Sequence, residues 1–256
     1  MQTVLTTTLV VAVISLIFAV ILTIADRYLN DYGEVQMVIN EGEARTVTGG
    51  STLLKTLSNE KIFIPSACGG KGTCGYCKCK VTSGGGPVLA TEKPWFTEEE
   101  IADDMRLSCQ VKVKEDIHIE IPEELFNVKE FEATLVKVVP VTDRINLLRF
   151  ELPPGETIDF KPGQFIQLKS AAYKKGEDYD GYDSEEIRAY SIASSIRDNK
   201  HVELLIGFTK GIVSTYVHRI LKEGSKVLLS GPFGDFYFHD EDEVDEILLV
   251  AAGTGF

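Results

Sequence analysis

The stretch between residues 68 and 109 constrains the fold of this chain more than any other. It reads Cys68-Gly-Gly-Lys-Gly-Thr-Cys74-Gly-Tyr-Cys77, and Cys109 follows 32 residues later. Four of the five cysteines are thus spaced as C-x5-C-x2-C…C, with glycine at positions 69, 70, 72 and 75. Glycine tolerates positive φ and a close approach of the backbone to a bound group. The pattern therefore indicates a loop that wraps around a compact object, with backbone N–H groups directed at cysteine sulfurs.

This spacing is close to the plant-type C-x4-C-x2-C…C pattern of proteins that bind a [2Fe–2S] cluster. We predict that Cys68, Cys74, Cys77 and Cys109 are the four ligands of such a cluster. Two alternatives stay open. Structural zinc normally uses two short pairs, and only one is present here; a disulfide framework needs an oxidising compartment and a small, loop-rich domain. Cys79 is predicted to be a small buried hydrophobe in a strand, with ligation as the alternative.

The N-terminus predicts a transmembrane helix over residues 3–25. No charged residue occurs among the first 25, and residues 4–24 are almost wholly apolar. About 20 such residues cross the hydrocarbon core as a helix. A cleavable signal peptide is the alternative, but it would have a basic n-region, a shorter apolar core and a small-residue cleavage site. Arg27 follows the helix directly, so the positive-inside rule places the rest of the chain in the cytoplasm, where thiols stay reduced.

Length and charge limit the remaining function classes. The 256 residues are enough for two compact domains. The net charge is −13 and no basic block is present, so nucleic acid is not an expected partner. Acidic residues are concentrated at 177–186 and 240–246, and we expect both stretches to be solvated loops.

The segment after a polar linker, residues 26–34, alternates short strands and short helices. Strands are predicted at 35–40, 44–47, 110–114 and 117–121, because apolar residues there alternate with polar ones. Ser51 is predicted to cap a short helix that runs to residue 57. Thr97 and Glu100 form the sequence signature of a capping box for another. Residues 35–122 resemble the β-grasp ferredoxin domain.

Residues 129–238 are predicted to form a second, β-rich domain. Its short strands are separated by Pro/Gly turns, a pattern that favours an antiparallel barrel. Only one helix is predicted among them, at residues 211–222, with apolar side chains at helical spacing. The predicted strands cover residues 133–139, 145–151, 165–169, 190–193, 202–207 and 226–230.

Within this domain, Arg188-Ala-Tyr190-Ser191 resembles the R-x-[YF]-[ST] signature of the ferredoxin–NADP reductase superfamily. The resemblance implies that Arg188 contacts the FAD pyrophosphate, Tyr190 packs on the isoalloxazine ring and Ser191 reaches the flavin N5 region. Tyr190 and Ser191 would then be the catalytic residues. A diphosphate suits a bidentate cation, and a flat ring suits an aromatic face. The alternative is an ordinary strand with Tyr190 in the core.

Two further turns resemble the same superfamily. Gly211-Ile-Val-Ser214-Thr215 is similar to its G-x-x-S turn, which implies that Gly211, Ser214 and Thr215 hold phosphate at a helix N-terminus. The alternative is that Ser214 is only an N-cap or first-turn residue of the helix. Gly231-Pro-Phe-Gly-Asp-Phe236 is similar to its G-P-x-G-x-F turn, which links the flavin domain to the nicotinamide domain.

Residues 245–256 read as an apolar strand that runs into Gly253-Thr254-Gly255, the opening of a dinucleotide-binding unit. A βαβ unit needs about 30 residues. We therefore expect only the first strand of an α/β NAD domain here, and a nicotinamide domain truncated in this chain.

Taken together, the chain is predicted to be an α+β multidomain protein: a transmembrane helix, a β-grasp ferredoxin domain, an antiparallel FAD barrel and the start of an NAD domain. This order resembles the family of F subunits of the Na+-translocating NADH:quinone reductases. The resemblance implies electron transfer from NADH through FAD to the cluster, because a flavin exchanges hydride for single electrons. It also implies other subunits of a respiratory complex as partners, quinone as an indirect partner and Na+ translocation by the complex.

The same resemblance implies a single-pass protein of the bacterial inner membrane with its domains in the cytoplasm. Two alternative functions stay open. One is the reductase component of an oxygenase, which combines the same modules. The other is a membrane-tethered ferredoxin-type carrier with no NADH activity of its own.

Overall fold

A long apolar helix opens the chain, as predicted. This computed structural model describes residues 2–29, 32–238 and 248. Helix α1 spans Gln2–Leu29. Its segment Thr6–Thr23 has a mean hydropathy of 2.5, and none of its 18 residues is buried within the protein. At 1.5 Å per residue these residues extend about 27 Å, close to the thickness of a hydrocarbon core. By length and composition, α1 can cross a membrane.

The first sheet has five strands and follows the predicted β-grasp plan. The strands are β1 (Glu34–Ile39), β2 (Arg45–Thr48), β3 (Lys78–Ser83), β4 (Met105–Leu107) and β5 (Ile117–Glu120). Their order in the sheet is β2-β1-β5-β3-β4; β1 and β5 run parallel and the other neighbours antiparallel. Helix α2 (Leu53–Asn59) lies against the sheet, with Leu53 and Leu57 fully buried in the same core as Met37 and Ile117.

Two local predictions in this unit were wrong. Thr52, not Ser51, caps α2, and its Oγ1 accepts a hydrogen bond from the Lys55 N–H at 3.3 Å. The strand predicted at 110–114 is a single bridge at Lys112. The reason is a turn, in which the N–H groups of the two residues after Cys109 both bond back to the Leu107 carbonyl, at 2.8 and 3.2 Å. The capping box of α3 (Glu98–Ala102) is confirmed.

The second sheet has six strands, all antiparallel. They are β6 (Lys129–Thr142), β7 (Ile145–Glu151), β8 (Phe165–Ser170), β9 (Glu186–Ser191), β10 (His201–Gly207) and β11 (Lys226–Phe233). Their order in the sheet is β10-β7-β6-β11-β8-β9. The sheet curls until its edges meet: Ile192 bridges Leu204, and the Ala193 N–H donates to the Glu203 carbonyl at 2.8 Å. This confirms the predicted antiparallel barrel, whose interior holds fully buried side chains such as Phe150.

The helix predicted at 211–222 is shorter and changes type. Helix α4 covers Ile212–Thr215, and a π-helical turn follows at Tyr216–Ile220. Its predicted apolar face is confirmed, since Val213 and Val217 are buried against the barrel core. The predicted first strand of the NAD domain, at residues 245–256, lies outside the described residues apart from Leu248.

A buried ion pair fixes the loop between β3 and α3. Glu92 is fully buried and Arg106 is 4% exposed, and the guanidinium donates to both carboxylate oxygens at 3.0 and 2.8 Å. Arg106 also donates to the carbonyls of Gly85, Gly86 and Pro87. Burial raises the pKa of Glu92, but the hydrogen bonds from Arg106 and two backbone N–H groups outweigh it and hold the pKa below its usual value. Arg106 on β4 thus anchors the loop between β3 and α3, which strand pairing alone does not hold in place.

We predict that Glu92→Ala destabilises the first unit by about 3–5 kcal/mol, because it leaves the buried Arg106 charge unpaired. Urea unfolding of the cofactor-loaded chain, followed by circular dichroism and by visible absorption, measures the change. Glu43→Ala removes an exposed carboxylate from the same unit and should change the stability by no more than about 0.5 kcal/mol. Equal effects of the two substitutions would contradict this role for the pair.

Candidate functional site

The four predicted ligands lie together as two thiol pairs. The Cys74 thiol donates to the Cys68 sulfur, with an Sγ–Sγ distance of 3.3 Å. The Cys77 thiol donates to the Cys109 sulfur. The pairs are neighbours, since Cys68 and Cys109 interact electrostatically. The chain therefore brings all four cysteines to one place, although Cys109 lies on a different segment from the others.

Backbone N–H groups of the loop point at these sulfurs. The N–H groups of Lys71 and Thr73 bond to Cys68, and the N–H of Gly72 bonds to Cys109. The N–H of Tyr76 bonds to Cys74. Such donors stabilise negative charge on sulfur, and they tune the potential of an iron–sulfur cluster. The donor set therefore fits a bound cluster.

One thiol of each pair is held close to the thiolate form. Burial raises the pKa of Cys68, but the hydrogen bonds from Thr73 and from the Cys74 thiol outweigh it and bring the pKa to about 6. The hydrogen bond from Cys77 lowers the pKa of Cys109 to about 7. The pKa values of their donors, Cys74 and Cys77, are raised. Because the thiolate is the metal ligand, each pair is prepared to bind one iron.

The alternatives to a cluster fit this geometry poorly. A structural zinc is held by four ligands around one point, whereas the thiols here associate as two separate pairs. All five cysteines are free thiols, and 3.3 Å is far longer than a disulfide bond. Two pairs of thiols match two irons with two cysteines each.

Cys79 is buried in the core next to this arrangement, as predicted, and belongs to neither thiol pair. It lies on β3 at 2% exposure, within the hydrophobic core of the first unit. Burial raises the pKa of its thiol to about 12. A thiol so difficult to ionise is a poor metal ligand, which favours a packing role.

Trp95 covers the cluster loop, and the sequence reasoning missed it. Its Nε1–H donates to the Gly72 carbonyl at 3.1 Å, and its ring lies against Gly75. A Cβ on Gly75 would lie 2.4 Å from Cε3 of that ring, and Gly75 has a φ of +72°. The sequence offered one hint, because this is the only tryptophan in the chain.

The predicted flavin residues share strand β9. Tyr190 is half-buried against the barrel core, and burial raises its pKa to about 12. Ser191 is exposed at the end of the strand, opposite Phe165 of β8. Arg188 is 31% exposed, and each hydrogen bond it makes to a described residue uses Nη1. The other guanidinium nitrogens can therefore receive a phosphate, as the predicted role requires.

The predicted phosphate turn lies beside this strand, since α4 packs against β8 and β9. Gly211 is the N-cap residue of α4. The Ser214 hydroxyl is already engaged: it donates to the Gly211 carbonyl at 3.0 Å and accepts from the Thr209 N–H at 3.3 Å. Thr215 is 5% exposed. Ser214 is therefore a first-turn residue whose hydroxyl bonds to residues at and before the helix start, and it does not cap α4, which has no side-chain cap hydrogen bond. The backbone at Gly211 lies beside β9.

Comparison with protein families confirms the predicted cofactors. A family described as "2Fe-2S iron-sulfur cluster binding domain" matches residues 38–114. A family described as "Oxidoreductase FAD-binding domain" matches residues 132–238. The two cofactors are therefore a [2Fe–2S] cluster and FAD, and the chain is an FAD- and iron–sulfur-dependent oxidoreductase.

Two curated relatives carry the same name. The chain is 38% identical to the F subunit of the Na(+)-translocating NADH-quinone reductase of Marinomonas sp. (strain MWYL1), over 95% of this chain and 66% of that protein. It is 36% identical to the F subunit of the same enzyme in Neisseria meningitidis serogroup B, over 95% of this chain and 67% of that protein. The chain thus spans about two thirds of the length of these relatives. A crystal structure of an Amycolatopsis cytochrome P450 reductase shares the fold, with a TM-score of 0.55, 24% identity, and coverage of 82% of this chain and 61% of that one.

We predict that Gly75→Ala sharply lowers the cluster content of the purified chain, because the added Cβ overlaps the Trp95 ring. Gly86→Ala is the matched control, since Gly86 has a similar φ of +64° but nothing within 4 Å of the added Cβ. Both substitutions strain the backbone equally, and only the first displaces Trp95. Iron and acid-labile sulfide per chain measure the effect, and an equal loss in both variants would refute a role for Trp95.

Proposed function

Because the chain belongs to the family of F subunits of the Na(+)-translocating NADH-quinone reductases, we propose that it brings electrons into a membrane NADH:quinone oxidoreductase. Besides the presence of the two domains, one contact between them supports the proposal. The cluster loop lies directly on strand β9 of the flavin domain, where Arg188 Nη1 donates to the carbonyl of Cys68 at 3.1 Å. With Arg188 on the FAD pyrophosphate, as we propose, the two cofactor sites would lie next to each other in one chain, as direct electron transfer between them requires.

FAD supplies the exchange between hydride transfer and single-electron transfer, and the cluster supplies one-electron steps. The residues of the chain bind and orient these groups. The four cysteines bind the irons, two to each iron. Arg188 binds the pyrophosphate with the part of its guanidinium that does not hold the loop.

Tyr190 and Ser191 would place the flavin ring. The aromatic face of Tyr190 would pack on the ring and exclude water, and its raised pKa keeps the phenol protonated. Ser191 lies at the exposed end of β9, where its hydroxyl would be offered to the ring. Gly211, Ser214 and Thr215 would hold phosphate chiefly through the backbone at the start of α4, since the Ser214 hydroxyl already bonds to Gly211 and Thr209.

The proposal includes the division of the chain. Residues 35–122 form the [2Fe–2S] unit and residues 129–238 the FAD unit, which is supported by one sheet and one hydrophobic core in each. The proposal keeps residues 3–25 as the membrane anchor, 26–34 as the linker, although α1 continues through its first four residues to Leu29, and 245–256 as the start of the NAD unit.

We further propose a bacterial inner-membrane location, with a single pass through α1 and the domains in the cytoplasm. Other subunits of the complex receive the electrons and pass them to quinone, and the complex moves Na+. The apolar, exposed surface of α1 supports membrane association. NADH is the electron donor, by analogy with the names of the relatives.

The experiment that tests this function is a visible and electron paramagnetic resonance spectrum of the anaerobic chain, before and after dithionite. We expect releasable FAD and a rhombic signal from a reduced [2Fe–2S] cluster. Cys77→Ser should abolish or strongly alter that signal, whereas Cys79→Ala should retain it, because Cys79 packs in the core. A colourless, zinc-containing chain would refute the electron-transfer function, and loss of the signal in Cys79→Ala alone would refute the ligand assignment.

A further inference from the structure

The [2Fe–2S] unit and the FAD unit meet where the cluster loop crosses strand β9. The backbone at Gly69, beside the ligand Cys68, lies so close to this strand that a side chain has no room. A Cβ on Gly69 would lie 2.6 Å from the Ile187 carbonyl oxygen and 2.7 Å from Oε1 of Glu186. The loop is thus docked by its own backbone onto the flavin domain.

A buried carboxylate lies at the centre of this contact. Glu186 belongs to the acidic stretch 177–186, which we predicted to be solvated, yet its side chain is only 6% exposed. It binds cations from both units: Lys71 of the cluster loop, with an Nζ–Oε2 distance of 3.2 Å, and Arg188 of its own strand. Burial raises the pKa of Glu186, but its two cationic partners outweigh burial and lower it, so the carboxylate is charged at neutral pH.

Aromatic rings support the other side of the loop. The ring of Tyr76, next to the ligand Cys77, meets Phe165 edge-on with 6.0 Å between centroids. Phe165 lies opposite Ser191 in the pairing of β8 and β9. The loop therefore touches the flavin domain at both ends of β9, through a charged contact at one end and an aromatic contact at the other.

We propose that Lys71 and Glu186 form a positioning pair that holds the cluster loop on β9 and thereby sets the rate of electron transfer between FAD and the cluster. The inference rests on the proposed function. The pair spans the two units, and Glu186 also orients Arg188, whose Nη1 holds the Cys68 carbonyl. In the step that it controls, one electron leaves the reduced flavin and converts one ferric iron of the cluster to ferrous iron.

Among the described residues, a second ion pair joins the two units. Lys61 Nζ and Glu130 Oε2 are 3.9 Å apart, with Lys61 77% exposed and Glu130 15% exposed. The long distance and the exposed lysine make this a weak contact that salt screens. Lys71 is 47% exposed, but it lies 3.2 Å from a carboxylate that is 6% exposed and already bound by Arg188, so its charge acts on a fixed partner.

The test uses the full chain loaded with FAD and cluster. A laser flash with 5-deazaflavin and a sacrificial donor injects electrons, and absorbance then follows electron exchange between flavin and cluster. Lys71→Glu replaces the attraction between residues 71 and 186 with a repulsion. We expect electron exchange to slow about tenfold, which corresponds to a loss of about 1.4 kcal/mol in the free energy that holds the cluster loop on β9. FAD content and iron content should stay unchanged. Both midpoint potentials are measured in each variant, so that a change in driving force is separated from a change in positioning; a rate change fully explained by the potentials would contradict the positioning role.

Two further variants are matched to this one. Lys71→Arg keeps the charge and should keep the wild-type rate. Lys114→Glu makes the same change of charge at an exposed position of the same unit, and it should also exchange at the wild-type rate. Hydrogen exchange of the backbone amides gives a readout that needs no turnover: Lys71→Glu should speed exchange in residues 68–72 and 186–188, and Lys114→Glu should not.

The two proposals fail in different ways. A wild-type chain that holds both cofactors but shows no electron exchange between them would overturn the proposed function, and the positioning pair with it. A wild-type chain that exchanges electrons normally, with Lys71→Glu indistinguishable from Lys114→Glu in rate and in hydrogen exchange, would overturn the positioning pair alone.

Discussion

Close approach of the backbone in the cluster loop is the constraint on which the rest of the structure depends. The loop turns its N–H groups toward three of the four cysteine sulfurs, those of Cys68, Cys74 and Cys109, and it can do so only where no side chain intervenes. At Gly75 the Trp95 ring occupies the space of a side chain, and at Gly69 the strand of the flavin domain occupies it. The same glycines that let the loop surround a cluster therefore also let the protein close over it from two sides.

Two buried carboxylates then hold the segments that surround the glycine-rich cluster loop in place. Glu92 pairs with Arg106 and closes the loop that carries Trp95, within the first unit. Glu186 binds Lys71 and Arg188 and joins the two units. Breaking such a pair is costly because it leaves a charge without a partner in a poorly solvated place. Both carboxylates are thus used for geometry, and both act on the surroundings of the cluster.

Strand β9 connects the two halves of the chemistry. Arg188 and Tyr190 lie two residues apart, so they lie on the same face of the strand, while its backbone and Glu186 receive the cluster loop. In the proposed function one guanidinium serves both sides, with Nη1 on the Cys68 carbonyl and its other nitrogens on the FAD pyrophosphate. Such an arrangement would keep the two cofactors close without a long linker to order.

The sequence by itself determined the elements whose causes are local. Cysteine and glycine spacing predicted the cluster, apolar length predicted α1, and strand periodicity with Pro/Gly turns predicted the barrel. Contacts between distant segments decided the rest. The turn after Cys109 replaced a predicted strand, and Glu186 became buried inside an acidic stretch, because partners such as Lys71 and Arg188 meet it only in the folded chain. The local sequence pattern predicts backbone conformation and burial, but it does not show which charged side chains will pair in the folded chain. Only the tertiary structure decided that the cluster loop meets strand β9, because that contact joins residues 120 positions apart in the chain.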